Sequence, residues 1–193
     1  MFDASSSLRV ANLTSLMWLR EQCRAPDEQA ASLFGIDDDT VRFYRDLSDV
    51  AIEALSRELD VSLFVPRFDN KTLPAALDAE CSGHAQAATG LALHNIASLQ
   101  ALCDVCRHSV AEATWIYRIN RETAEAYAAL DHDQVVSLSR TLTACALLPR
   151  YDASGAARIL DRPAGSRALF AAAYEPDTAP TGEAARRSFH LAH

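Results

Sequence analysis

Glycine and proline are scarce in this chain of 193 residues, which has six glycines and seven prolines. Sandwiches and barrels need many turn residues between short strands, so this scarcity argues against an all-β fold. Long apolar runs are missing too. The longest stretch without Asp, Glu, Lys or Arg, 81–103, contains two histidines, an asparagine and two glutamines, and is too polar to span a membrane.

Signals of secretion and of catalysis are also missing. No basic segment precedes an apolar core at the N-terminus, so we expect no signal peptide. The five cysteines are an odd number, which without a secretory signal indicates reduced thiols in the cytoplasm. The sequence has no nucleophile elbow, P-loop, dinucleotide fingerprint or HExxH motif. We therefore expect neither an enzyme nor a cofactor.

Alanine and acidic residues are what the chain has in abundance. Alanine accounts for 36 residues and is the best helix former, so the sequence predicts an all-α fold. The formal net charge is -8 at pH 7, with one lysine against 17 arginines. Such a chain repels the phosphate backbone of DNA, so binding to DNA would need a local basic patch or a basic partner.

An internal repeat organises the sequence. Residues 12–69 align with 95–152 at an offset of 83 without a gap, with 18 identities in 58 positions. We call these ranges the first and second repeat, and call two residues 83 apart repeat partners. The repeat predicts two similar helical modules, 1–83 and 84–175, packed as a pseudo-two-fold dimer within one chain, and a flexible tail, 176–193.

Helical spacing and capping residues predict the elements of each module. Helices are expected over 8–23, up to a C-terminal stop at Gly35, and then over 38–47, 49–60, 73–80, 85–107, 154–161 and 166–174. The segment 62–69, between the helices 49–60 and 73–80, is expected to be extended. The expected N-caps are Asp37, Ser48, Ser109, Asn120 and Asp131. The expected core consists of the repeated apolar positions, which are Leu16, Leu19, Ile36, Leu47, Leu55, Leu59, Leu99, Leu102, Ile119, Leu130, Leu138 and Leu142.

The first signal of function is the spacing of Ala31, Gly35 and Val41, which is typical of a helix-turn-helix. The helix 38–47 would then read DNA, with Arg42 and Arg45 as its only cations behind three aspartates. Any tight pair of packed helices shows the same spacing. In the second repeat Arg118 replaces the glycine, which predicts that this turn is lost there.

The second signal is a set of potential zinc ligands, Cys81 and His84 followed by Cys103 and Cys106. Two pairs with this spacing resemble a structural zinc site. The alternative is a core role, because Cys106 is the repeat partner of the apolar-face residue Cys23. Cys103 is the repeat partner of Arg20, which suggests that Cys103 is the more exposed of the two.

The first repeat resembles the FlhD family of flagellar transcriptional regulators. The resemblance is carried by Asn12-Leu13-Thr14, Ala30, Gly35-Ile36 and Arg67-Phe68-Asp69. The second repeat keeps part of this pattern, which is Asn95, Ala113, Ile119 and Arg150-Tyr151-Asp152.

The resemblance implies an all-α, cytoplasmic bacterial protein that activates transcription of flagellar or related genes. It implies homodimers that bind promoter DNA together with FlhC, a basic, zinc-bearing partner. Two FlhD-like units in tandem would mimic such a dimer within one chain, and a further homo-oligomer stays open. The alternative is a protein–protein interaction module with an FlhD-like fold that does not bind DNA itself.

Overall fold

The computed structural model describes residues 4–25, 29–80 and 87–174. Eleven α-helices and one two-stranded ribbon make up this part of the chain. The strands are β1 (Phe64–Pro66) and β2 (Leu147–Pro149), and a single 3-10 turn covers Ala164–Ser166. The helices are α1 (Ala4–Arg24), α2 (Ala30–Phe34), α3 (Asp38–Arg45), α4 (Asp49–Glu58), α5 (Leu73–Glu80), α6 (Thr89–His108), α7 (Val110–Tyr117), α8 (Arg121–Ala129), α9 (His132–Thr141), α10 (Ala153–Leu160) and α11 (Arg167–Ala173).

The all-α fold is confirmed, and the predicted helix ends are close to the observed ones. The helix 73–80 has the predicted bounds, whereas the helix predicted over 85–107 begins at Thr89. The predicted tail, 176–193, lies outside the described residues. In the part of the chain that the structure describes, no helix combines the length and apolarity needed to cross a membrane.

Side-chain caps set the helix starts. Each predicted N-cap accepts a hydrogen bond from a backbone N–H in the first turn of its helix, which satisfies a donor that the helix itself leaves unpaired. At the start of α9 the pairing is reciprocal, because the side chain of Gln134 also bonds the backbone N–H of the cap. All five are confirmed: Asp37, Ser48, Ser109, Asn120 and Asp131.

A buried asparagine ties the long first helix of each repeat to the segment before its strand. The Asn12 amide donates to Val61 O at 3.1 Å and accepts from Leu63 N at 3.0 Å. Asn95, its repeat partner, makes the same two bonds to Ala144 O and Ala146 N. These bonds satisfy backbone groups that would otherwise be buried unpaired. The asparagine of the repeated motif is therefore a structural residue.

The two repeats meet at an antiparallel ribbon with two-fold symmetry. Val65 pairs with Leu148, its own repeat partner, while Phe64 pairs with Pro149 and Pro66 with Leu147. A residue that pairs with its own repeat partner lies on the local axis, and its neighbours then pair reciprocally, as in an isologous dimer. The strands were expected only as extended segments, so this pairing is a finding of the structure.

Hydrogen bonds away from the ribbon repeat the same symmetry. Tyr44 Oη donates to Tyr151 O at 2.8 Å, and the repeat partner Tyr127 donates to Phe68 O at 3.0 Å. Two further sets of hydrogen bonds are reciprocal in the same way. In the first set, Ala153 N donates to Thr40 Oγ1 and Asn70 N donates to Thr123 Oγ1. In the second set, Cys145 N donates to Leu33 O and Ser62 N donates to Ile116 O.

Most of the expected core is buried. Ten of its twelve positions are buried, and all ten lie in a single apolar cluster that contains residues of both repeats. The two exceptions are Ile36 and Ile119, which are half-buried. Each directly follows a residue in the left-handed conformation at the end of a helix, where the chain turns at the surface.

Candidate functional site

The predicted helix-turn-helix is present as α2, a short turn and α3. Gly35 ends α2 with φ of 65°, the left-handed conformation that glycine adopts most easily. The N–H of Ile36 then bonds back to Ala31 O at 3.1 Å. Asp37 begins α3 by accepting from Thr40 N at 2.7 Å. The local sequence thus sets both ends of the turn.

One face of α3 is buried by both repeats. Thr40 and Tyr44 are 1% and 3% exposed. Thr40 bonds to Ala153 N, directly after the second repeat, and Tyr44 bonds to Tyr151 O within it. The opposite face carries the candidate DNA-binding residues, and its exposed charges are Asp37, Asp38, Asp39, Asp46, Arg42 and Arg45.

Both arginines of α3 are paired with neighbouring acids. Arg42 Nη2 lies 2.9 Å from the Asp39 carboxylate, and Arg45 Nε lies 3.1 Å from that of Asp46. The hydrogen bond from Arg45 lowers the pKa of Asp46. Four carboxylates against two guanidinium groups leave this face acidic, so it repels phosphate.

The turn of the second repeat contradicts the sequence prediction. Arg118 adopts φ of 53° and ψ of 43°, so the backbone makes the left-handed turn that glycine makes in the first repeat. The conformation costs a side-chain-bearing residue roughly 1–2 kcal/mol. A contact with the first repeat fixes the end of α7 just before Arg118, because Ile116 O accepts a hydrogen bond from Ser62 N at 2.9 Å. A helix, a left-handed residue and a following helix therefore occur in both repeats.

The second turn is less acidic than the first. Asn120 stands where the first repeat has Asp37, and Arg121 stands where it has Asp38. The Arg118 guanidinium lies 4.9 Å from the ring centroid of Trp115, which is 53% exposed. The ion pair of α8 joins Arg121 to Glu125 at 2.7 Å. This turn carries an exposed cation beside an aromatic ring, which sequence reasoning missed because the loss of the glycine suggested no turn.

Two repeat-partner arginines have different surroundings. Arg67 donates to Cys145 O at 2.8 Å and to Leu33 O at 2.9 Å, which satisfies its guanidinium on carbonyl oxygens. Arg150 instead lies over the ring of Tyr151, and its buried Nη1 has no hydrogen-bond partner. Burial lowers the pKa of Arg150, and the nearby charge of Arg118 lowers it further.

Two of the candidate zinc ligands lie inside the helical core. Cys103 is 0% exposed and Cys106 1%, so the expectation that Cys103 is the more exposed is wrong. Burial raises their thiol pKa values to about 11 and about 12, which favours neutral thiols over metal-binding thiolates. The other two, Cys81 and His84, lie outside the described residues. Within the ranges that the structure covers, no three Cys, His, Asp or Glu side chains come together as metal ligands.

Comparison with protein-family models, with curated proteins and with solved structures finds no match for this chain.

Proposed function

We propose that this chain is an FlhD-type transcriptional regulator that acts on promoter DNA together with a basic, FlhC-type partner. The family assignment rests on the resemblance of the first repeat. The observation that carries the proposal is the reciprocal pairing of the repeats, in which Val65 pairs with its own partner Leu148. This is the internal arrangement expected if a tandem chain takes the place of the homodimer that the resemblance implies.

The need for a partner follows from the charges. The whole chain carries a formal charge of -8, and both arginines of α3 are neutralised by neighbouring aspartates. Most of the affinity of a protein for the DNA backbone comes from Lys and Arg side chains that neutralise phosphates, so the isolated protein has little to offer. A basic partner would supply those cations, and its positive surface would find a complementary surface in the acidic face of α3.

The test is a fluorescence-anisotropy titration of flagellar promoter DNA with this protein alone, with an FlhC-type partner alone, and with both, at about 150 mM salt. We expect weak or no binding by this protein alone, and tighter, sequence-specific binding by the pair than by the partner alone. Nanomolar, sequence-specific binding by the isolated chain would contradict the proposal, as would a partner whose binding this chain leaves unchanged.

The ion pairs on α3 favour one second candidate, an interaction module that never touches DNA. Arg42→Ala with Arg45→Ala, compared with Arg57→Ala on α4 as a matched exposed control, tests whether α3 itself contacts DNA in the complex. If α3 contacts DNA in the complex, the double variant reduces the salt dependence of binding by about one phosphate contact per arginine, while the control leaves it unchanged. An unchanged salt dependence in the double variant assigns the DNA contacts to the partner.

A further inference from the structure

Trp18 fills a site between the two longest helices, α1 and α6. Its indole stacks on the imidazole of His94 with ring centroids 5.0 Å apart and an angle of 15° between the planes. The edge of the ring lies 3.4 Å from the Cβ position that Gly90 leaves empty. Its buried Nε1 makes no hydrogen bond. Burial raises the pKa of the nearby Cys145 thiol to about 12, and Trp18 acts to lower it. The half-buried indole is thus close to His94, Gly90 and Cys145.

The symmetry of the fold provides a second site of the same kind, and there the tryptophan is missing. The repeat partner of Trp18 is Ala101. In the described residues, Ala101 lines an open groove of about 450 Å³ between α1 and α6. The repeat partners of the three residues around Trp18 line this groove as well, and they are Ala11 for His94, Ser7 for Gly90 and Ser62 for Cys145. The groove is therefore the Trp18 site without its side chain.

The lining of the groove restricts what can occupy it. No Asp, Glu, Lys or Arg is among the described residues that line it. His94 is the one imidazole among the described lining residues. Burial lowers the pKa of that ring to about 4, so it is neutral at pH 7. The buried hydroxyl of Ser62 already donates to Phe64 O at 2.7 Å. A charged ligand would lose its hydration there without a counter-charge, whereas a flat apolar ring loses little.

We propose that the groove at Ala101 is a binding site for a neutral, planar aromatic small molecule of one or two fused rings. The ring occupies the position that the Trp18 indole occupies in the symmetry-related site, between Ala11 and Ala101. The volume lies within the range of pockets that hold small organic ligands. Because the groove is lined by residues of α1 and of α6, its occupant contacts both of these helices.

Indole is the probe, because it is the group that fills the symmetry-related site. Titration of the full chain with indole, followed by isothermal calorimetry and by NMR of the backbone amides, should show one saturable site with shifts at α1 and α6 around Ala101. Trp18→Ala should open the related site and raise the stoichiometry from one to two. Absence of saturable binding to the unmodified chain at millimolar indole would overturn the proposal.

Filling the groove from within gives the complementary test. Ala101→Trp should reduce indole affinity at least tenfold and raise the melting temperature, whereas Ala129→Trp, on an exposed position of α8, should do neither. Ala101→Leu, a smaller filler, serves the same purpose if the tryptophan is too large beside Ser7. Undiminished binding in a folded Ala101 variant would overturn the proposal.

Discussion

Tyr44→Phe and Tyr127→Phe remove one hydroxyl each from the contact between the repeats. The two tyrosines are 3% and 0% exposed, and each hydroxyl donates to a backbone carbonyl of the other repeat, at 2.8 Å and 3.0 Å. Phenylalanine keeps the ring and its packing but leaves the carbonyl of Tyr151 or Phe68 without this donor. Depriving a buried acceptor of its partner costs about 1–3 kcal/mol, so each variant should lose that much free energy of unfolding.

The repeat supplies an internal check on this magnitude. The two hydrogen bonds are related by the repeat and share no donor or acceptor. The two losses of free energy should therefore be similar, and the double variant should lose their sum within about 0.5 kcal/mol. In a chain of this size each kcal/mol corresponds to about 2–4 °C in melting temperature. Val50→Ala, at a side chain that is 77% exposed, is the control and should stay within about 0.5 kcal/mol.

The assay is urea unfolding of the full chain, followed by circular dichroism and by tryptophan fluorescence. Coincident single transitions are expected, because one apolar cluster contains residues of both repeats. Losses below about 0.5 kcal/mol in both tyrosine variants would refute the reasoning that these carbonyls depend on the hydroxyls. Two separate transitions would refute the reasoning that the repeats fold as one unit.

Two further predictions concern a turn and a histidine. Gly35→Ala should lower the free energy of unfolding by about 1 kcal/mol, because φ is 65° although nothing lies within 4 Å of the added Cβ. Gly165→Ala, where the space is equally open and φ is not positive, should be neutral or stabilising when both are measured by thermal unfolding. Burial lowers the pKa of His94 from 6.5 to about 4. As the pH falls, the unfolded chain therefore takes up a proton at this histidine before the folded chain does. The stability that is present above pH 6.5 is lost as the pH falls through 4. His94→Phe keeps the stack on Trp18 and should flatten this part of the stability–pH curve; an unchanged slope would contradict the assignment.

Features with local causes were predictable from the sequence. The caps at Asp37, Ser48 and Asp131 depend on one side chain and the N–H groups two or three residues later, so residue type and position suffice. The stop at Gly35 likewise depends on a single backbone conformation. The positions of these helix ends followed without knowledge of the tertiary packing.

Features imposed by packing were not predictable. Arg118 has no local reason to adopt a left-handed conformation, and it does so where the surrounding helices repeat the first turn. Cys103 was expected to be exposed because its repeat partner is an arginine. However, the Arg20 side chain is itself only 14% exposed, and its guanidinium reaches Leu47 O across the helix packing. An arginine can thus occupy an inward position by extending its charged end to the rim.

The groove at Ala101 shows where the sequence holds a signal that cannot be interpreted alone. The gapless alignment already pairs Trp18 with Ala101, the largest side chain with one of the smallest. That difference has no meaning until the structure shows that both positions face the contact between α1 and α6, and that the neighbours of Trp18 have counterparts around Ala101. The candidate arginines of α3 were identified by position, whereas their pairing with Asp39 and Asp46 follows only from the structure.

Joining two symmetry-related units in one polypeptide has a consequence for how many partners the protein engages. A dimer of identical chains presents every surface twice and dissociates on dilution. Here the halves are covalently linked, so their association is independent of concentration, and each half is free to diverge. The acidic turn at Asp37 and the cationic turn at Arg118 occur once each per molecule. A protein that recognises either turn therefore meets one docking position per chain, where a dimer of identical chains would present two.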